Sequence, residues 1–425
     1  MASRGKVREG KPERSGGCRL VVAPDAETRL GHAAEWLRAQ PPAAEVLVLA
    51  PRPEAGDDLV RNVALTTGAL FGVTRLTLAR LAGHLAAPAL ASERRVPASG
   101  LSLDAVAARA VHMLGAEGGL RYFAPVADRP GFPPAVARTV EELRMNGVGA
   151  VALRRLDVVG DDLAVLAERI ERELAEAALA DRAAVFAAAL AAAEGVPQPH
   201  PVGLALLLLD LPLETAHETA LVAALAARAP AVLATGAAGD ERTLARLERA
   251  LGCGREAAPR TTAGGSLAAL QAHLFEESAP LERELDASVA VCSWPGEARE
   301  CVEIARAIQG AAARGIPFDR MAIFLRAPRE YTAHLKEALR RAEIPAFFAS
   351  GTTEPEPAGR ALLALLTCAA DGLSARRFAE YLSLAQVPDP EEQRARATDP
   401  GRVWVPPDHD LVPGAVWAQA AAARA

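Results

Sequence analysis

Nucleotide chemistry in this chain would have to begin at two strand ends. The apolar run Arg19-Leu-Val-Val-Ala-Pro24 reads as a first strand and leads into Pro24-Asp-Ala-Glu-Thr-Arg-Leu-Gly31. A triphosphate held there needs a Gly-rich turn whose N–H groups cradle the β-phosphate, and a lysine between the β- and γ-phosphates. The segment has no paired glycines and no lysine, and Asp25 and Glu27 would repel a triphosphate at short range. Arg29 adds charge without rebuilding the nest. Asp25 is also placed to cap the helix that follows. The second end is Leu204-Ala-Leu-Leu-Leu-Leu-Asp210, a buried-type run closing on an acid that suits magnesium. Leu211 and Pro212 stand where a second acid should position the attacking water. Asp210 therefore reads as a tether for the strand end or as the remnant of a metal ligand.

Other enzyme chemistries find little support. The eight histidines are dispersed, no G-x-S-x-G elbow occurs, and the five cysteines form no C-x-x-C pair. Glu297, Glu300 and Glu303 share one helical face, where acids in the first turns complement the helix dipole. No metal and no cofactor is expected.

These residues need elements to position them, and 425 residues suffice for two or three domains with proper cores. Helices are expected at Ala26 to Ala39 and Glu54 to Thr67, with strands at Glu45 to Pro51 and, more briefly, just before Leu78. Residues 86–201 read as helix after helix, including one long run from Asp161 to Gly195. Strands at Leu204 to Asp210 and Ala231 to Thr235 then restore the sheet, and Gly252 to Gly265 looks like a linker. A further strand, helix, strand, helix, strand series is expected at Val289 to Ser293, Glu297 to Arg314, Met321 to Leu325, Glu330 to Ala342 and Ile344 to Phe348. The fold class is α/β, with parallel-sheet lobes and an all-helical insertion. The expected organisation is a disordered basic arm (1–18), a first lobe (19–85 and 202–265), the insertion (86–201), a partial second lobe (286–385) and an irregular tail (386–425).

Composition narrows the setting. No apolar span of membrane length appears, and Met1 to Arg19 has no apolar leader core, so a soluble cytoplasmic protein that does not engage a membrane is expected. A net charge of −6 offers no global field for nucleic acid, so any DNA contact must come from a local groove. Aromatics make up 4% of the chain, which leaves few stacking platforms for bases.

Three phrases carry a resemblance: Glu297-Ala-Arg-Glu-Cys-Val-Glu-Ile-Ala-Arg306, Ile316-Pro-Phe-Asp-Arg-Met-Ala-Ile-Phe-Leu-Arg326 and Leu335-Lys-Glu-Ala-Leu-Arg-Arg-Ala-Glu-Ile-Pro345. In this order they resemble the opening of the second motor lobe of superfamily 1 helicases. More narrowly, they resemble the AddB-type subunit of bacterial helicase-nucleases (RecB/AddB-like, PD-(D/E)XK nuclease family), which process double-strand breaks. The opening strands, with Gly68-Ala-Leu-Phe-Gly-Val-Thr-Arg-Leu-Thr77, are similar to that family's first lobe. The resemblance implies helicase-like lobes, here with an incomplete second one, and a role in DNA repair and recombination. It implies single-stranded or broken-end DNA and an AddA-type helicase-nuclease subunit as partners. Although the family is one of ATP-dependent helicases and exodeoxyribonucleases, catalysis by this chain alone is not expected. Asp25, Arg29 and Asp210 would mark a degenerate nucleotide site. The family's nuclease needs paired acids with a lysine, and Lys336 is the only lysine beyond Lys11. Residues matching the DNA-facing phrases are Arg52, Arg75, Thr77, Arg80, Arg326 and Arg329, although the family often has Thr where Arg52 stands. The alternative is a protein-interaction scaffold with the same fold and no DNA binding.

Overall fold

The computed structural model describes residues 17–41, 43–259, 265–274, 282, 284–349, 357–384, 387–388 and 411–412. The cations Arg4 to Arg14 of the expected basic arm, and nearly all of the expected tail, lie outside them. Contacts divide the chain into two compact units, Met1–Ala290 and Val291–Ala425.

The first unit is α/β. Its opening elements are β1 (Cys18–Ala23), α1 (Ala26–Arg38), β2 (Val46–Leu49), α2 (Pro53–Thr67), β3 (Val73–Leu76) and α3 (Leu78–Ser92). The middle comprises β4 (Val96–Pro97), α4 (Gly100–Ala116), α5 (Phe132–Met145), α6 (Ala150–Leu153), α7 (Val158–Glu176), β5 (Leu179–Ala180) and α8 (Arg182–Glu194). It closes with β6 (Ala205–Leu208), α9 (Ala216–Arg228), β7 (Val232–Ala237), α10 (Glu241–Leu251), β8 (Arg255–Ala257) and α11 (Ser266–His273).

Six strands form one parallel sheet in the order β3-β2-β6-β7-β1-β8. The central strands are buried along their whole length, as parallel strands covered on both faces must be. Side chains alternate between the faces. Val48, Leu207 and Leu233 meet Leu37, Leu59 and Val63 of α1 and α2, whereas Leu47, Leu206 and Leu208 share the other core with residues of α3, α8, α9 and α10. Helices α4, α5 and α7 build a core of their own from Val106, Ala110, Val140, Leu166 and Ile170.

Two local expectations change here. The run from Asp161 to Gly195 is two helices, parted at Ala178, whose φ of 54° is left-handed, and at β5, which pairs with β4. The linker-like stretch contains β8, an edge strand held against β1.

The second unit begins with α12 (Glu297–Ala313) and α13 (Pro328–Arg341), joined by a core of Cys301, Ala305, Leu335, Ala338, Leu339 and Ile344. Helices α14 (Pro357–Ala370) and α15 (Ala375–Leu384) follow, with a two-residue antiparallel pair, β9 (Val387–Pro388) and β10 (Leu411–Val412). The helices at Glu297 and Glu330 form, but none of the residues in the three apolar runs Val289–Ser293, Met321–Leu325 and Ile344–Phe348 lies in a strand. Ile323, Leu325 and Phe348 lean on the helix core, whereas Phe324 and Phe347 are 94% and 92% exposed. Met321–Leu325 and Ile344–Phe348 are apolar on both sides and find cover among the described residues on one side only, whereas Ala290 to Ser293 are exposed. No helix is long and apolar enough to cross a membrane among the described residues.

Candidate functional site

In open parallel sheets, ligands gather beyond the carboxyl ends of the strands. In the first unit that rim carries, along neighbouring strands, Thr77 after β3, Arg52 after β2, Asp210 after β6, Thr235 near the end of β7 and Asp25 after β1.

The β1–α1 connection is two residues long, Pro24 and Asp25, so the helix begins where a phosphate-binding loop would need room. Asp25 caps α1, accepting the Thr28 N–H at 2.8 Å, and is 2% exposed. Burial pushes its carboxyl up, but the Thr28 N–H and hydroxyl, its own backbone N–H and the Arg29 charge outweigh burial and hold it below its ordinary value. Its contribution to stability is therefore present above the unfolded carboxylate pKa and is lost as pH falls through the folded one.

Arg29 lies in the first turn of α1, where a cation opposes the helix dipole. A carboxylate and a carbonyl compensate. Its Nε donates to both Asp210 oxygens at 2.9 and 3.0 Å, and its Nη1 donates to the Ala23 carbonyl at 2.7 Å. Asp210 has a left-handed backbone (φ 45°), and its N–H donates to Thr235 Oγ1 at 3.0 Å. The Thr235 hydroxyl donates in turn to Asp210 Oδ1 at 2.7 Å. The three sequence-predicted residues Asp25, Arg29 and Asp210 thus stand together, and Thr235, fully buried on the strand between, completes the arrangement. Sequence reasoning missed Thr235; its only signal was a hydroxyl inside the apolar run Val232-Leu-Ala-Thr-Gly-Ala237. Chemically the cluster is a closed charge pair: a metal or phosphate would have to break Arg29 from Asp210 to enter.

The predicted DNA-facing residues divide. Leu49 pairs with Leu76 across β2 and β3, which sets Arg52 and Thr77 at the same end of adjacent strands. Arg52 is exposed at the α2 N-cap position and makes no side-chain cap bond. Thr77 caps α3 by accepting the Arg80 N–H at 3.2 Å, and the Arg80 side chain is exposed. Arg75 turns back to Asp57 on α2 at 3.2 Å. Arg326 and Arg329 belong to the second unit and are exposed, Arg329 in the first turn of α13. Because Met321–Leu325 is not a strand, Arg326 does not follow a strand end. Arg52, Arg80, Arg326 and Arg329 make no ion pair among the described residues.

A cleft of about 410 Å³ opens beside the loops after β6 and β7, against α5. Four arginines (Arg138, Arg182, Arg242, Arg246) and four carboxylates (Glu141, Glu142, Glu214, Asp240) line it, so it carries no net charge. In the second unit Glu300 accepts the Tyr331 hydroxyl at 2.8 Å and Glu303 pairs with Arg299 and Arg306, so these two acids of the α12 stripe are engaged in local contacts. No metal-binding group of His, Cys, Asp or Glu occurs among the described residues.

The chain matches no protein-family model, and no curated protein matches it.

Proposed function

We propose that this chain is a DNA-guiding, structural subunit of an AddB-type helicase-nuclease that processes double-strand breaks, working beside an AddA-type motor subunit in the cytoplasm. In this reading it is a pseudo-ATPase. The observation that carries it is the Arg29–Asp210 pair, which occupies the rim of a parallel sheet where nucleotide would sit, while Arg52 and Arg80, both exposed and without an ion pair among the described residues, remain at neighbouring strand ends. Arginines at loop ends suit sequence-blind contact with phosphates.

The test is binding of a fluorescent single-stranded oligonucleotide across a salt series. Affinity should fall with salt, and Arg52→Ala, Arg80→Ala and Arg326→Ala should each reduce the log–log slope by about 1. Arg75→Ala, whose side chain is held by Asp57, should change it less. One observation favours the scaffold alternative: the cleft beside the rim is charge-balanced rather than basic. Absence of binding at low salt would select that alternative.

A further inference from the structure

We propose that Cys18 and Cys253 form a thiol–disulfide site that staples the edge strand β8 to β1 under oxidising conditions. Both side chains are half-buried against the α3–α8–α9–α10 face of the sheet, and their sulfurs lie 3.2 Å apart. The ladder explains the meeting. Leu20 pairs with Arg255, Val21 with Glu256 and Val22 with Ala257, and the same offset continued by two residues sets Cys18 opposite Cys253. Neighbouring strands run roughly 4.8 Å apart, inside the span of about 4.4–6.8 Å that a disulfide bridges between Cα atoms. The 3.2 Å between the sulfurs shows that the two side chains already point toward one another.

The staple would act where the sheet is held least. The ladder of β8 is three residues long and all three are exposed. Its other anchors among the described residues include the Ala258 N–H, which donates to the Val22 carbonyl at 2.9 Å, and ion pairs with solvent access: Arg19 to Glu256, and Arg255 to Glu241 and Glu248. Such pairs contribute little individually. A bond between residues separated by 235 positions would keep β8 on the sheet when those pairs part. Cys301 and Cys368 are buried, and burial, followed by Glu300 and Glu297, pushes the Cys301 thiol up; Cys292 is exposed.

The co-reactant is a small disulfide such as oxidised glutathione. One cysteine, losing its proton, attacks a glutathione sulfur, and the first glutathione leaves as a thiolate that takes up a proton. The second cysteine then attacks the mixed disulfide, forms the Sγ–Sγ bond and releases the second glutathione. Two protein thiols are oxidised and one glutathione disulfide is reduced to two thiols.

The experiment treats the full chain with oxidised glutathione, quenches with acid, alkylates the remaining thiols and maps peptides by mass. A Cys18–Cys253 linked peptide is expected, with glutathione on Cys292. In Cys18→Ser, glutathione should instead remain on Cys253. Thermal unfolding of the oxidised and reduced chain supplies a second readout: the midpoint should rise on oxidation in the wild type and not in Cys253→Ser. Should Cys18→Ser fail to fold, the wild-type peptide map still decides. Alkylated or separately glutathionylated Cys18 and Cys253, under conditions that modify Cys292, would overturn the proposal, as would a linked peptide without any rise in midpoint.

Discussion

The two units use the same sequence grammar, short apolar runs alternating with amphipathic helices, and reach different structures. In the first unit β1 and β2 never touch; β6 and β7, which come much later in the chain, lie between them and pair with each. Leu206, Leu207 and Leu208 of β6 are at most 1% exposed, with helices on both faces of the strand. In the second unit, Met321–Leu325 and Ile344–Phe348 pack one side onto α12 and α13 and leave Phe324 and Phe347 in solvent. The difference teaches that alternation alone does not make a parallel sheet. A central strand and two covering layers do, because parallel pairing stabilises only when both faces are buried.

This contrast can be tested by substitution, and the largest effect should come from the central strand. Leu207→Ala removes a fully buried side chain between α1, α2 and the sheet and should cost about 3 kcal/mol, read by urea unfolding followed with a first-unit probe. A cost under about 1 kcal/mol would mean that β6 is not the keystone of the sheet.

Next comes the rim of the same sheet. Asp210→Ala leaves the Arg29 guanidinium, only 9% exposed, without its carboxylate, and should cost about 2 kcal/mol, less than for a fully buried pair because Asp210 is 30% exposed. The double variant Arg29→Met/Asp210→Leu should be more stable than Asp210→Ala alone, since it removes the stranded charge. If the double loss equals the sum of the losses in Arg29→Met and Asp210→Leu, the pair is not coupled.

The smallest effect belongs to the second unit. Phe347→Ser should change stability by no more than about 0.5 kcal/mol, because almost nothing contacts that ring. A large loss would reveal a buried strand there and erase the contrast between the units.

Some of this was legible in residue order. The fully apolar β2 and β6 announced buried strands, the helix cap at Asp25 follows from residue type, and the two-residue turn into α1 was foreshadowed by missing glycines. Other features were not. Arg255-Glu-Ala257 has no strand-like composition and becomes β8 only because the outer side of β1 offers unpaired backbone groups. At the site, Asp25, Arg29 and Asp210 could each be singled out, but Thr235 could not, since a lone hydroxyl in an apolar run signals nothing until its partner is known.

What the sequence determined by itself was local: helix starts, the apolar periodicities, the absence of a phosphate nest and of any lysine to serve it. Those depend on neighbours a few residues away. Only the tertiary structure decided that Arg29 meets a carboxylate 181 positions distant, that Cys18 faces Cys253, and that one set of apolar runs became a sheet while the other did not. Each of those outcomes requires strand order and register, which are set by how both faces of a sheet are covered and not by any short window of the chain.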